Sequence, residues 1–92
     1  MKYMVAELMF IAKRVWYEDG KICLLLSDQK EVYFPISLND KLLNAPLEKV
    51  KNIELICGGT GLHWPDIDED LSITGIIEGR YGSIKKEIIE LP

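Results

Sequence analysis

The chain is short of the residue types that make a reactive or metal site on their own. Its 92 residues include one histidine, His63, and two cysteines, Cys23 and Cys57. Two thiols make no disulfide framework, and they lack Cys-x-x-Cys spacing. Each lies in an apolar run, so both are expected as small core hydrophobes in a reducing, cytoplasmic setting, with a structural disulfide as the alternative. No apolar stretch approaches the roughly 18 residues of a membrane span. The apolar segment from Met1 to Ala12 is broken by Glu7, and Lys13 and Arg14 follow it, the wrong order for a signal peptide. Basic charge is in deficit, with 11 Lys and Arg against 15 Asp and Glu, a net charge of −4 and a pI near 4.9. Phosphate neutralisation needs a positive face, so nucleic acid is not expected as a partner of this chain by itself. Seven glycines and four prolines are an ordinary share and exclude collagen-like or disordered character.

Motifs of catalysis are missing as well. Ser27, Ser37, Ser72 and Ser83 have no Gly-x-Ser-x-Gly setting and no evident His and Asp partners. Neither cysteine carries a sign of thiolate activation. Gly58-Gly59-Thr60-Gly61 lacks both the G-x-G-x-x-G pattern and a following Lys-Ser/Thr. It is expected as a tight turn with positive φ, although its amides could cradle an anion. Lys85-Lys86 is offset by Glu87 and Glu90. The expectation is a protein that is no enzyme and holds no cofactor.

What is present suits one small soluble domain over residues 1–92. The composition is 48% apolar and 28% charged, and a chain of this length buries roughly 64% of its unfolded surface. Phe10 to Tyr17 has the β-branched and aromatic content of a strand. Asp19-Gly20 is a hairpin signal. The five apolar residues from Ile22 to Leu26 suggest a central strand or one buried on both faces. A polar turn, Ser27 to Lys30, precedes Glu31 to Ile36, in which Val32, Phe34 and Ile36 share a face. Pro35 removes a ladder donor, which marks an edge or an end. These segments predict a three-stranded antiparallel meander.

Asn39 or Asp40 is placed to cap a short helix carrying Leu42 and Leu43. Pro46 suits the first turn of a second, Leu47 to Val50. Ile53 to Cys57 and Leu62 to Trp64 predict a later hairpin. A helix from about Glu69 to Glu78 is expected next, capped from among Asp68 to Asp70, with Leu71, Ile73, Ile76 and Ile77 toward the sheet. Gly79 would stop it. The tail, residues 80–92, fits helix or strand, and its isoleucines imply docking on its own domain or on a partner.

The densest polar feature is His63-Trp64-Pro65-Asp66-Ile67-Asp68-Glu69-Asp70. Asp66, Asp68 and Asp70 alternate as in a calcium loop, but Leu71 fills the glycine position and no closing Glu follows. A lone histidine also falls short of a zinc or general-base set. Solvated acids at a helix start, with a surface or hydrogen-bonded His63, are the expected arrangement. Trp64 is expected in the core, or at an interface beside Pro65. His63, Trp64, Asp66, Asp68, Glu69 and Asp70 are therefore the candidate functional surface, with no metal, cofactor or catalytic residue assigned.

The string from Gly58 to Ser72 resembles the hallmark of the domain of unknown function 2442 family. That hallmark is a G-T-G-apolar-H-W-P-x-apolar-D-E-D-L-S pattern followed by an apolar helix ending near glycine, as Ile73 to Gly79 does. Leu26-Ser27-Asp28, then Val32, Pro35 and Ile36, is similar to the family's strand pair, with Gln29 where glycine is common. The segment from Leu42-Leu43-Asn44-Ala45 to Asn52-Ile53-Glu54-Leu55 is similar to its middle. The resemblance spans about Phe10 to Gly79. It implies a small bacterial α+β domain, and it offers no catalytic residue for transfer. Some relatives carry a helix-turn-helix domain after this one; the chain ends before such a domain, so no DNA-binding role is expected.

The expected fold class is α+β, a small, mainly antiparallel sheet of a meander plus a later hairpin, packed in two layers with one or two short helices. The expected function is a non-enzymatic protein-interaction or regulatory module with a protein partner. The family resemblance suggests the antitoxin-like half of a two-protein system. A homodimer formed through strand edges or tail exchange is a further expectation. The alternative is a metal- or ligand-binding protein or enzyme using His63, Asp66, Asp68 and Asp70. No membrane partner is expected.

Overall fold

The structure, a computed structural model, describes residues 10–82. Three strands, β1 (Ala12–Glu18), β2 (Lys21–Leu26) and β3 (Glu31–Pro35), form an antiparallel sheet in the order β1-β2-β3. Asp19 and Gly20 join the first two, with φ of 48° and 80°. Two left-handed residues in a two-residue loop match the twist of the flanking strands. The apolar run of β2 is central, as its composition predicts. Ile22, Leu24 and Leu26 face inward with Val15, Tyr17, Val32 and Phe34. β3 is an edge strand and ends at Pro35, which has no N–H to donate.

A 3-10 turn (Ile36–Leu38) leads to two single-turn helices, α1 (Asp40–Leu43) and α2 (Leu47–Val50). Asn39 caps α1, its side-chain oxygen accepting from Leu42 N at 3.0 Å. Pro46 takes the N-cap of α2, one position earlier than expected. Leu42 and Val50 enter the core, while Leu43 and Leu47 stay exposed.

Three more strands, β4 (Glu54–Ile56), β5 (Gly61–Trp64) and β6 (Glu69–Ser72), form a second antiparallel sheet in the order β4-β5-β6. A 3-10 turn, Cys57–Gly59, joins β4 to β5. Cys57, Gly58 and Gly59 all have positive φ, so the turn expected of the glycine cluster is present. Gly59 also needs to be small, because a Cβ there would collide with the Ala12 carbonyl. The second sheet thus meets the start of the first by close backbone approach.

The helix expected over residues 69–78 is instead a strand followed by one helical turn, α3 (Ile73–Ile77). Glu69 and Leu71 are buried and Asp70 and Ser72 exposed, a period of two that pairs with β5. The acids therefore lie in a hairpin loop and a strand, where no helix dipole acts on them. Ser72 caps α3, accepting from Gly75 N at 2.9 Å. Gly79 ends it as expected, with φ 88°, Gly79 N donating to Ile76 O and Arg80 N to Gly75 O. That pair of bonds is a Schellman closure. The later hairpin is thus a second meander, and three short helices replace one or two.

One apolar cluster joins the inward faces of both sheets to Leu42, Val50, Ile73 and Ile76. Tyr81 closes over it, stacked on Phe34 with centroids 4.9 Å apart. Cys23 is buried, but Cys57 is exposed in its turn rather than in the core, and both thiols are free. Most of the tail, residues 83–92, lies outside the described residues, as does the question of whether it is helix or strand.

Candidate functional site

The hairpin of β5 and β6 carries all six candidate residues and divides them between its two faces. Trp64 pairs with Glu69 across the hairpin, and the loop 65–68 closes with Ile67 N and Asp68 N both donating to Trp64 O. Pro65 has the fixed φ that suits the first loop position. Asp68 supplies the left-handed residue, φ 62°, which Asp tolerates better than most residues.

Trp64 and Glu69 point inward. Trp64 is 0% exposed, and its indole Nε1 donates to Val50 O at 2.9 Å. Its place is the core, because a buried indole N–H needs an acceptor and α2 provides one. Glu69 Oε2 accepts from Asn39 Nδ2 at 2.7 Å, and its Oε1 lies 3.7 Å from Lys41 Nζ. Lys41 Nζ also donates to Asp68 O. Asn39, wholly buried, gives its second amide hydrogen to Tyr81 O at 2.7 Å. Gly82 packs so near that a Cβ would strike Asn39 Nδ2 and Glu69 Oε2. Asn39 thus fastens α1, β6 and the segment after α3 together. Sequence reasoning identified it only as a cap, since its other partners lie 30 and 42 residues away.

His63, Asp66, Asp68 and Asp70 remain on the outer side. His63 stands opposite Glu54 on β4 and Asp70 on β6. Its Nδ1 lies 2.6 Å from Asp70 Oδ1. An ionised carboxylate only accepts, so Nδ1 is the donor. The Asp70 hydrogen bond holds the imidazole above its ordinary pKa of 6.5; partial burial opposes the shift, and the charges of Asp70, Glu54 and Asp68 add to it. Glu54 is a neighbour that sequence reasoning missed, because only strand pairing brings it to His63. Asp66 faces elsewhere, its Oδ2 accepting from Asn52 Nδ2 at 3.0 Å. Among the described residues, no group of three or more His, Cys, Asp or Glu side chains could hold a metal ion. The hairpin thus brings His63, Asp70 and Glu54 together and gives Asp66 and Glu69 separate partners.

A family model, described as a protein of unknown function (DUF2442), matches residues 12–82. The chain belongs to the DUF2442 family. Two solved structures are similar to this DUF2442 chain. One is a protein of unknown function from Rhodospirillum rubrum, 27% identical, with a TM-score of 0.75, covering 83% of this chain and 94% of its own. The other is an uncharacterised protein from Chromobacterium violaceum, 26% identical, with a TM-score of 0.76, covering 97% of this chain and 84% of its own. No curated protein matches this chain. Among the described residues, no helix is long and apolar enough to cross a membrane.

Proposed function

We propose that this DUF2442 chain is a non-enzymatic protein-interaction module, the regulatory, antitoxin-like half of a two-protein system in the cytoplasm. The observation that carries it is the outward face of the first sheet. Trp16, Leu25 and Tyr33 lie on the side opposite the core cluster, and Tyr33 is 63% exposed. Arg14 sits 5.0 Å over the Trp16 ring and Lys21 5.6 Å from the Tyr33 ring. Aromatic residues and arginine are among the side chains enriched where proteins dock. The polar groups of the hairpin support a structural role there. The Ser72 hydroxyl caps a helix, Asp66 holds Asn52, and Glu69 is bonded to Asn39. Two free thiols suit a reducing compartment. Affinity capture from the native host with the full chain tests the role. The wild type is expected to recover a specific protein that a Tyr33→Glu variant loses; background recovery by both would end it.

A further inference from the structure

Strand register places nine outward side chains of the first sheet in three rows. They are Arg14–Leu25–Glu31, Trp16–Cys23–Tyr33 and Glu18–Lys21–Pro35. None of the nine belongs to the core cluster. The middle row is aromatic at both ends, and the outer rows carry two cations and two anions. This face is electrically balanced on a chain of net charge −4. The outward face of the second sheet instead presents Glu54 and Asp70 around His63, and would repel its own copy.

We infer that the outward face of the first sheet is a self-association surface, covered by a second copy of this chain packed face to face about a two-fold axis along the strands. The inference rests on this face being a docking surface and is separate from the identity of the second protein in the two-protein system. Rotation about that axis exchanges the outer strands β1 and β3 between copies and sets β2 over β2. Arg14 of one copy then faces Glu31 of the other, and Trp16 faces Tyr33. The operation is isologous, so each of these pairs forms twice. Leu25 meets its own copy on the axis, where, half-buried, it gains cover; Cys23 lies on the same axis but is already buried within its own chain. Lys21 also meets its copy, the one like-charge approach, with Glu18 beside it in register on β1. Nine residues a side is a small area, below the roughly 1,200 Å² of stable complexes. The dimer is therefore weak and dependent on concentration.

Light scattering or sedimentation on the full chain, from about 10 µM to about 1 mM, tests this. The mass is expected to climb from 10.5 kDa toward twice that value. Tyr33→Glu, at an exposed site, is expected to leave the circular dichroism spectrum unchanged and to keep the chain monomeric. Arg14→Glu and Glu31→Arg each weaken association by about tenfold, since one substitution disrupts two symmetric pairs. The double variant restores it. A constant 10.5 kDa at the highest concentration overturns the inference. Association untouched by Tyr33→Glu overturns the surface, and failure of the double variant to recover overturns the axis. A monomer that still captures a host protein through Tyr33 leaves the interaction module standing and overturns self-association.

Discussion

Both sheets are three-stranded antiparallel meanders, but the strands of the first run to seven, six and five residues and those of the second to three, four and four. The longer strands put eight apolar side chains, Ala12 among them, on one inward face and close through local turns. The shorter strands bury less and are fastened from outside. Val50 O accepts from the Trp64 indole, Asn39 donates to Glu69, and Ser72 caps the helix that follows. A sheet with a long apolar face is held mainly by water exclusion. A sheet of three- and four-residue strands depends more on individual polar bonds, each costly to break when buried.

Substitutions that remove those bonds should separate the two sheets, and the largest effect is expected at Trp64. Trp64→Ala deletes a fully buried ring and orphans Val50 O, a loss of about 3–5 kcal/mol. Urea unfolding followed by circular dichroism should show the midpoint collapse. A loss under about 1 kcal/mol would mean that the ring is not the anchor of the second sheet. Asn39→Ala comes next, at about 3 kcal/mol, from a lost cap together with one buried and one half-buried acceptor left short of a donor. Asn39→Asp keeps the cap but sets a carboxylate against Glu69. It should lose at least as much near neutral pH and recover part on acidification, when one carboxyl takes up a proton. Equal stability of the two variants at both pH values would remove the claim that Asn39 acts as a donor.

A smaller effect, dependent on pH, is expected from His63 and Asp70. The folded-state pKa of His63 lies above its ordinary 6.5, chiefly through the Asp70 hydrogen bond. The stabilisation is therefore fully present below about pH 6.5 and is lost as pH rises through the folded value. The gap in urea midpoint between wild type and Asp70→Asn should be widest below pH 6.5 and close at alkaline pH. The His63 ring signal should titrate at lower pH in the variant. A gap that widens with pH would reverse the assignment. The last expected change lies in the first sheet and has the opposite sign. Gln29 holds φ 77° in the turn before β3, so Gln29→Gly should relieve strain and raise stability by about 1 kcal/mol. A lower midpoint would show that the Gln29 side chain matters more than its backbone.

The first sheet was legible in the sequence because its signals are local. Asp19-Gly20 marks one turn, β2 is one apolar run, and Val32 and Phe34 alternate with Glu31 and Tyr33. The second sheet was half legible. Leu71, Ile73, Ile76 and Ile77 fit a helical period as well as Leu71 and Ile73 fit a strand, and a four-residue strand is too short for periodicity to decide. Asp68 holds the left-handed loop position without a glycine to announce it. The candidate residues form one contiguous string, and a contiguous string does not say which members face inward. Strand alternation sends Trp64 and Glu69 to the core and His63 and Asp70 to the surface. The partners of Asn39 were beyond reach because nothing local encodes a bond to residue 69 or residue 81.

That distance affects how the chain leaves the ribosome. The hydrogen bonds within the first sheet are complete once Ile36, whose amide meets Gly20 O, has been made, yet its apolar inner face is then still open to water. Its inner face must wait for residues as far on as Tyr81, which stacks on Phe34. At typical elongation rates that wait is roughly two to nine seconds. Ribosome-bound chains of increasing length should gain protease resistance late and in one step, when Tyr81 clears the ribosome, rather than sheet by sheet. The newborn first sheet is thus exposed on both faces at once, and the proline that ends β3 guards that edge against pairing with a neighbouring chain before its own second half arrives.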